Sequence, residues 1–285
     1  MVPHDVDPTM LRGVRALIEM ALAEDIGTGD ITTSVAISAG AMAHAVLVTK
    51  AEGIVAGMPV VAEVLYAVDP NLIMHQLLAD GASVTAGTRL AQITGPARSL
   101  LTAERTALNF LQRMSGIAST TARYVEAVAG TSARIVDTRK TAPGHRVLDK
   151  YAVRVGGGHN HRFNLADGVL IKDNHIAALG SVAAAVRAAR DGAPHTLKIE
   201  VEVTNRDMVT QALDAGADII LLDNMSLEEM RACVCMIAGK ALTEASGNVT
   251  LETVRAIAEC GVDLISVGAL THSVKAMDIS LEFEA

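Results

Sequence analysis

Tryptophan is absent and aromatic residues make up only 2% of the 285-residue chain, so its core must be assembled from Ala, Val, Leu, Ile and Met. Apolar runs are short: Gly or a charged residue interrupts each one before the roughly 18 residues that a membrane span needs, so no membrane partner is expected. The N-terminus, MVPHDVDPTMLRG, is acidic where a secretory signal would be basic, and no apolar h-region follows it, which points to a cytoplasmic protein. The three cysteines, Cys233, Cys235 and Cys260, are too few and too badly spaced for a disulfide framework or a four-ligand zinc site, and read as small core hydrophobes. A basic surplus is missing as well. With a formal net charge of -8 and few aromatics to stack on bases, the chain lacks the means to bind nucleic acid.

Against that acidic background one stretch stands out. Residues 137 to 175, DTRKTAPGHRVLDKYAVRVGGGHNHRFNLADGVLIKDNH, hold seven Lys or Arg and four His against four Asp. A local cationic cluster in an acidic protein fits a small polyanionic substrate. Gly156, Gly157 and Gly158 within it look like a tight loop; they lack the GxGxxG spacing and the following acidic residue of a dinucleotide site.

Length suits one barrel-sized domain with a smaller partner. Residues 9 to 24 carry Leu11, Val14, Leu17, Ile18 and Leu22 at helical spacing, with Gly27 and Gly29 closing the pattern. A strand over 43 to 49, a turn at Glu52 and Gly53, and a helix over Met58 to Val68 follow. The glycine-punctuated DGASVTAGTRLAQITG has the texture of a biotinyl or lipoyl hammerhead but no lysine placed for cofactor attachment, so it reads as scaffold. From Ser99 a second helix puts Leu100, Leu101, Leu108 and Leu111 in one stripe, with Gly116 as its expected end. Glu104 and Arg105 border that stripe, either as snorkelling flanks or as interface residues whose Arg reaches an anion.

After residue 130, short β-branched runs alternate with Ala-rich helical stretches, the pattern of parallel βαβ units. The runs are 134–138, 168–172, 197–203, 218–223, 241–246 and 263–268. Six strands fall short of a closed eight-stranded barrel, so the expectation is an incomplete α/β barrel with a weak strand hidden in 151–165.

Chemistry in such barrels gathers at the carboxyl ends of the strands. Those ends deliver Arg139 and Lys140, then Lys172, Glu202, Asp223, Ser246 with Gly247, and Gly268. The SGNVT and GALTH segments are read as placing small residues directly before helices, where free N–H groups bind phosphate. Glu202 and Asp223 suit Mg²⁺, or ion pairs with the facing cations; Glu200 is expected on the opposite face of its strand. Arg139, Lys140, His161, Arg162 and Lys172, crowded at one mouth, suggest a substrate with more than one carboxylate, because Arg binds carboxylates in a planar fork.

These motifs, together with AERTALNFLQRMSGIA, EVEV, ILLDN, EASGNV and SVGALTHSVKAMDISL, closely resemble quinolinate phosphoribosyltransferases from EDIGTGDITT to the C-terminus. The resemblance implies an incomplete α/β (TIM-like) barrel over 117–275 and an N-terminal, hammerhead-like α/β sandwich over 1–116 joined by residues 276–285. It implies phosphoribosyl transfer from phosphoribosyl pyrophosphate to quinolinate with decarboxylation, Mg²⁺ as cofactor, and a homodimer or higher oligomer with shared active sites. By the same resemblance Arg139, His161, Arg162 and Lys172 would hold the quinolinate carboxylates, with Arg105 arriving from the partner subunit. Lys140 would contact phosphoribosyl pyrophosphate, Glu202 and Asp223 the ribose and metal, and Ser246, Gly247, Asn248, Gly268 and His272 the phosphate. Lys140, Lys172, Glu202 and Asp223 would be the catalytic set. A related pyridine-carboxylate transferase, a Schiff-base aldolase using Lys140 or Lys172, and a non-catalytic binder of phosphorylated ligands are the alternatives.

Overall fold

The computed structural model describes residues 8–284. In chain order the elements are α1 (Pro8–Ile26), α2 (Ile31–Ala36), β1 (Met42–Thr49), β2 (Gly53–Ile54), α3 (Met58–Val68), β3 (Ile73–Gln76), β4 (Ser83–Val84), β5 (Arg89–Pro96) and α4 (Ala97–Ala127). Then come β6 (Arg134–Val136), α5 (Arg146–Val155), β7 (Val169–Ile171), α6 (Asp173–Leu179), α7 (Val182–Gly192), β8 (Ile199–Val203), α8 (Arg206–Asp214) and β9 (Ile219–Asp223). The chain finishes with α9 (Leu227–Ile237), β10 (Leu242–Ser246), α10 (Val254–Ala258), β11 (Leu264–Ser266), α11 (Ala269–His272) and β12 (Ile279–Glu284).

Two compact units divide these elements. The first combines the residues up to Ala122 with Thr141–Gly157 and the C-terminal segment from Ser273. Its main sheet is four-stranded, in the order β12-β1-β5-β3, and every pairing is antiparallel. Of the apolar stripe expected along α1, Val14, Leu17, Ile18 and Leu22 are buried; the side chain of Leu11 lies outside the described residues. The helix expected to end at Gly116 continues to Ala127. Gly116 is there for space: a Cβ on it would collide with the backbone carbonyl of Lys275, so the C-terminal segment lies against α4 where α4 has no side chain.

Sequence reasoning leaves 141–157 with the barrel and sets the boundary at 116, whereas by contact 141–157 groups with the first unit and the division falls between Ala122 and Arg123. The fastening is polar. Arg113 donates to both carboxylate oxygens of the fully buried Asp149, at 2.9 and 2.8 Å, and the Tyr151 hydroxyl donates to Asp80 at 2.8 Å. Residues 151–155, where a hidden strand is expected, belong to α5 instead.

The second unit is an incomplete α/β barrel. Its six strands are those read from the sequence, parallel throughout and ordered β6-β11-β10-β9-β8-β7. No named strand bridges β6 to β7; a single parallel bridge, Val136 to His159, is the nearest substitute. Ile199, Val201, Val203, Ile220, Leu222 and Ala245 are all within 1% of complete burial, as expected for strands covered on both faces. Each buried Val, Leu or Ile side chain contributes about 1.5–3 kcal/mol, which holds the scaffold rigid beneath its loops.

Candidate active site

A cavity of about 230 Å³ opens at the carboxyl ends of the barrel strands. Arg139, Lys140, His161, Arg162, Lys172, Glu202, Asp223 and Ser246 line it, together with Glu244 and Ser266. A larger hollow of about 710 Å³ lies in the first unit against α1 and α3, but its Arg15 is paired with Glu63 and no cationic cluster faces it. The barrel cavity gathers Arg139, Lys140, Arg162 and Lys172 opposite Glu202 and Asp223 at the strand ends, with Ser246 and Ser266 beside them.

Arg162 is half-buried, and its NH1 donates to the Gly168 carbonyl at 2.9 Å while its Nε has no hydrogen-bond partner. Burial first, and the neighbouring Arg139 second, pull the Arg162 pKa down, opposed by Glu200 and Asp167. Two guanidinium groups that disfavour each other's charge leave room for an anion.

His161 is committed on both ring nitrogens. Its Nδ1 accepts from the Arg162 backbone N–H at 2.8 Å, so the proton sits on Nε2, which faces Glu200 Oε2 at 3.0 Å and Glu244 Oε1 at 3.7 Å. The peptide N–H of His161 donates to Asp137 at 2.9 Å, and Asp137 also accepts from Asn160.

Glu200 does not lie on the opposite face from Glu202. A strand's side-chain period is two, so residues 200 and 202 share a face; Glu200 sits deep against His161, and Glu202 sits nearer solvent, accepting from Lys172 Nζ at 2.7 Å. Asp223 Oδ2 accepts from Asn224 Nδ2 at 3.0 Å, and Asn224 Oδ1 accepts from Asn248 Nδ2 at 3.0 Å. Asn224 thus ties the carboxylate to the loop after β10. Sequence reasoning gave it no role, although it stands in the ILLDN motif.

That loop is not a direct strand-to-helix turn. After Ser246, residues 247–253 intervene before α10, whereas Gly268 does abut α11. Gly247 has φ +98° and a Cβ there would strike the Asn224 amide, so only glycine serves. A Cβ on Gly268 would lie 3.0 Å from His272 Cδ2 and 3.3 Å from Lys140 Cδ, and Thr271 Oγ1 donates to the Lys140 carbonyl at 2.9 Å. Lys140, Gly268 and His272 therefore meet. Arg105 lies in the first unit, exposed on α4.

One carboxylate pair could hold a cation. Glu202 and Asp223 offer hard oxygens at the cavity wall, fitting Mg²⁺ whose other ligands come from substrate phosphates. His161, Glu200 and Glu244 also bring ligand atoms within 4.8 Å of one another deeper in the barrel, but with Nδ1 accepting from a peptide N–H and the Nε2 proton facing the carboxylates the imidazole has no lone pair for a cation, and the three form a hydrogen-bonded cluster.

The family models for quinolinate phosphoribosyl transferase match twice, the N-terminal domain over residues 30–115 and the C-terminal domain over 117–282. The chain belongs to the quinolinate phosphoribosyltransferase family. It is 46% identical over 275 residues to the nicotinate-nucleotide pyrophosphorylase [carboxylating] of Mycobacterium leprae, covering 94% of this chain and 96% of the relative. To the chloroplastic enzyme of the same description from Arabidopsis thaliana it is 43% identical over 290 residues, 95% and 83% of the two chains. The solved structure of the nicotinate-nucleotide pyrophosphorylase from Francisella tularensis superposes with a TM-score of 0.93 at 43% identity, covering 98% of each chain. In this family setting Glu200, Glu244 and Asn224 are the site residues that sequence reasoning left without a part.

Proposed function

We propose that this chain transfers the phosphoribosyl group of phosphoribosyl pyrophosphate to quinolinate with decarboxylation, giving nicotinate mononucleotide, pyrophosphate and CO₂ in de novo NAD biosynthesis. The observation that carries the reading is one cavity in a member of this family that joins Arg139, Arg162 and Lys172 to Glu202, Asp223 and Ser246. The guanidinium groups hold the two carboxylates of quinolinate, and His161 orients Arg162 through its backbone. Lys140, beside Gly268 and His272, meets the phosphates, and Ser246, Gly247 and Asn248 receive the 5′-phosphate.

As pyrophosphate leaves, positive charge develops on the ribose, and the carboxylates of Glu202 and Asp223 stabilise it. The ring nitrogen attacks the ribose carbon. Glu202 and Asp223 would hold Mg²⁺, which would supply charge neutralisation for the leaving pyrophosphate. No covalent nucleophile is required. Lys172 Nζ is held by the Glu202 carboxylate at 2.7 Å, where a Schiff-base aldolase would present its lysine to a carbonyl substrate. A homodimer in which Arg105 reaches the partner's cavity completes the reading, supported by the exposure of Arg105 on α4.

Pyrophosphate release is the test. With Mg²⁺ and phosphoribosyl pyrophosphate, release is expected with quinolinate and not with nicotinate. Equal release with nicotinate would assign a monocarboxylate substrate, and none with either would assign a binder.

A further inference from the structure

Glu244, on the interior strand β10, is 1% exposed and borders two hollows of the barrel. One is the cavity at the carboxyl ends of the strands; the other, about 440 Å³, reaches the amino ends, where Arg134, Ile219 and Leu264 begin β6, β9 and β11. Its Oε1 has no hydrogen-bond partner. The groups that face it are Glu200 from β8, His161 from the segment after α5, Asp137 from the end of β6, and the Ser266 hydroxyl from β11. Burial pushes its pKa up to about 8, the Glu200 carboxylate pushes the same way, and His161 and Ser266 oppose both. Two buried carboxylates held against a single histidine, all within 4.8 Å, cannot both ionise at low cost, so Glu244 is the one that keeps its proton near neutral pH.

The proposed reaction has a step that needs such a group. When CO₂ departs, the electron pair of the broken carbon–carbon bond stays on ring carbon 2, next to the cationic ring nitrogen, and must receive a proton. Most of the cavity's other donors are committed. The Arg139 and Arg162 guanidinium groups are assigned to the substrate's carboxylates, Lys172 is bound to Glu202, and the Nε2 proton of His161 is directed at Glu200.

We propose that Glu244 is the general acid that protonates ring carbon 2 as CO₂ leaves. The inference rests on the functional reading above. The bond from carbon 2 to the carboxylate carbon breaks, CO₂ departs, and the electron pair takes the proton from a Glu244 oxygen. Glu244 is left as a carboxylate beside Glu200, and water entering from the second hollow returns its proton without passing the bound product.

The test follows both products from quinolinate carrying an isotope label in its 2-carboxyl group, in a single turnover. Wild-type enzyme should release pyrophosphate and labelled CO₂ in equal amounts; release of neither refutes the functional reading itself. Glu244→Gln keeps the shape and removes the acidic proton. It should release pyrophosphate at close to the wild-type rate while CO₂ release slows by roughly 100-fold or more, and the N-ribosylated dicarboxylate should accumulate. CO₂ that keeps pace with pyrophosphate, whether both are fast or both are slowed together, overturns the assignment. Should Glu244→Gln fail to fold, the wild-type profile decides: CO₂ release should fall as pH rises through the titration of Glu244, and a flat alkaline limb overturns the proposal. Lys140→Gln gives a contrasting pattern, slowing pyrophosphate first; loss of CO₂ alone in that variant would move the acid role to Lys140.

Discussion

Lys172 Nζ lies 2.7 Å from Glu202 Oε2, joining the cation assigned to the dicarboxylate with the carboxylate assigned to the ribose and metal. Both side chains keep partial solvent access, so the pair is screened and exchangeable. Lys172→Ala should therefore do two things at once: raise the KM for quinolinate and free Glu202. Arg162→Ala should raise the KM for quinolinate by about one to two orders of magnitude, in line with the roughly 1.5–3 kcal/mol of a charged hydrogen bond, and leave that for phosphoribosyl pyrophosphate near wild type. Steady-state kinetics varying each substrate separates the two; equal increases would contradict the division of labour.

Arg105→Ala should abolish most activity while leaving the oligomer intact by sedimentation. Mixing it with Arg139→Ala, also inactive, should restore part of the activity through hybrid dimers that carry one intact cavity. Absence of rescue after verified subunit exchange would place Arg105 outside the shared site.

Asp149 is fully buried and accepts both donors of Arg113. Asp149→Ala removes the carboxylate that accepts both hydrogen bonds from Arg113 and should cost about 3 kcal/mol, read as a lowered denaturation midpoint. Losing the Arg113–Asp149 pair as a unit, through Arg113→Met with Asp149→Leu, should cost less than the single change.

Stability should carry the signature of Glu244. Its folded pKa is raised from 4.5 to about 8, so the folded state binds the proton more tightly than the unfolded chain. That contribution is fully present below about pH 4.5 and is lost as pH rises through about 8. Urea titrations across that window should show a decline in stability that Glu244→Gln flattens.

Gly116→Val should be poorly tolerated although Gly116 lies mid-helix, where most residues are favoured over glycine. A Cβ there meets the Lys275 carbonyl, so thermal stability should fall, whereas Gly192→Ala, with nothing within 4 Å, should be neutral or better.

The barrel strands were legible because parallel strands covered on both faces read as β-branched runs, and the cationic site residues were legible because they stand at the ends of those runs. Four features were not. Glu244 sits inside LTEAS, and a lone carboxylate in a short run reads as a strand's solvent side; its place on an interior parallel strand, buried on both faces, was the available signal. Glu200 was misplaced by an error of period: IEVEV puts its two carboxylates on one face at different depths, one toward the floor and one toward the mouth. The helix over 146–155 was passed over in favour of a strand, because counting to a closed barrel outweighed the helical spacing of Leu148, Ala152 and Val155, all buried. Gly116 reads locally as a helix stop, and its actual purpose depends on a segment more than a hundred residues away.

The pairing of β12 with β1 sets a schedule for biosynthesis. On the ribosome, β1, β5 and β3 emerge early, but the edge of β1 stays open until Ile279–Glu284 has been made and can dock. A nascent chain stalled before Ile279 would hold an unpaired strand edge at the moment the rest of its sheet is complete. Loss of Ile279–Glu284 is therefore a folding lesion in the first unit, expected to surface as aggregation before it surfaces as lost catalysis.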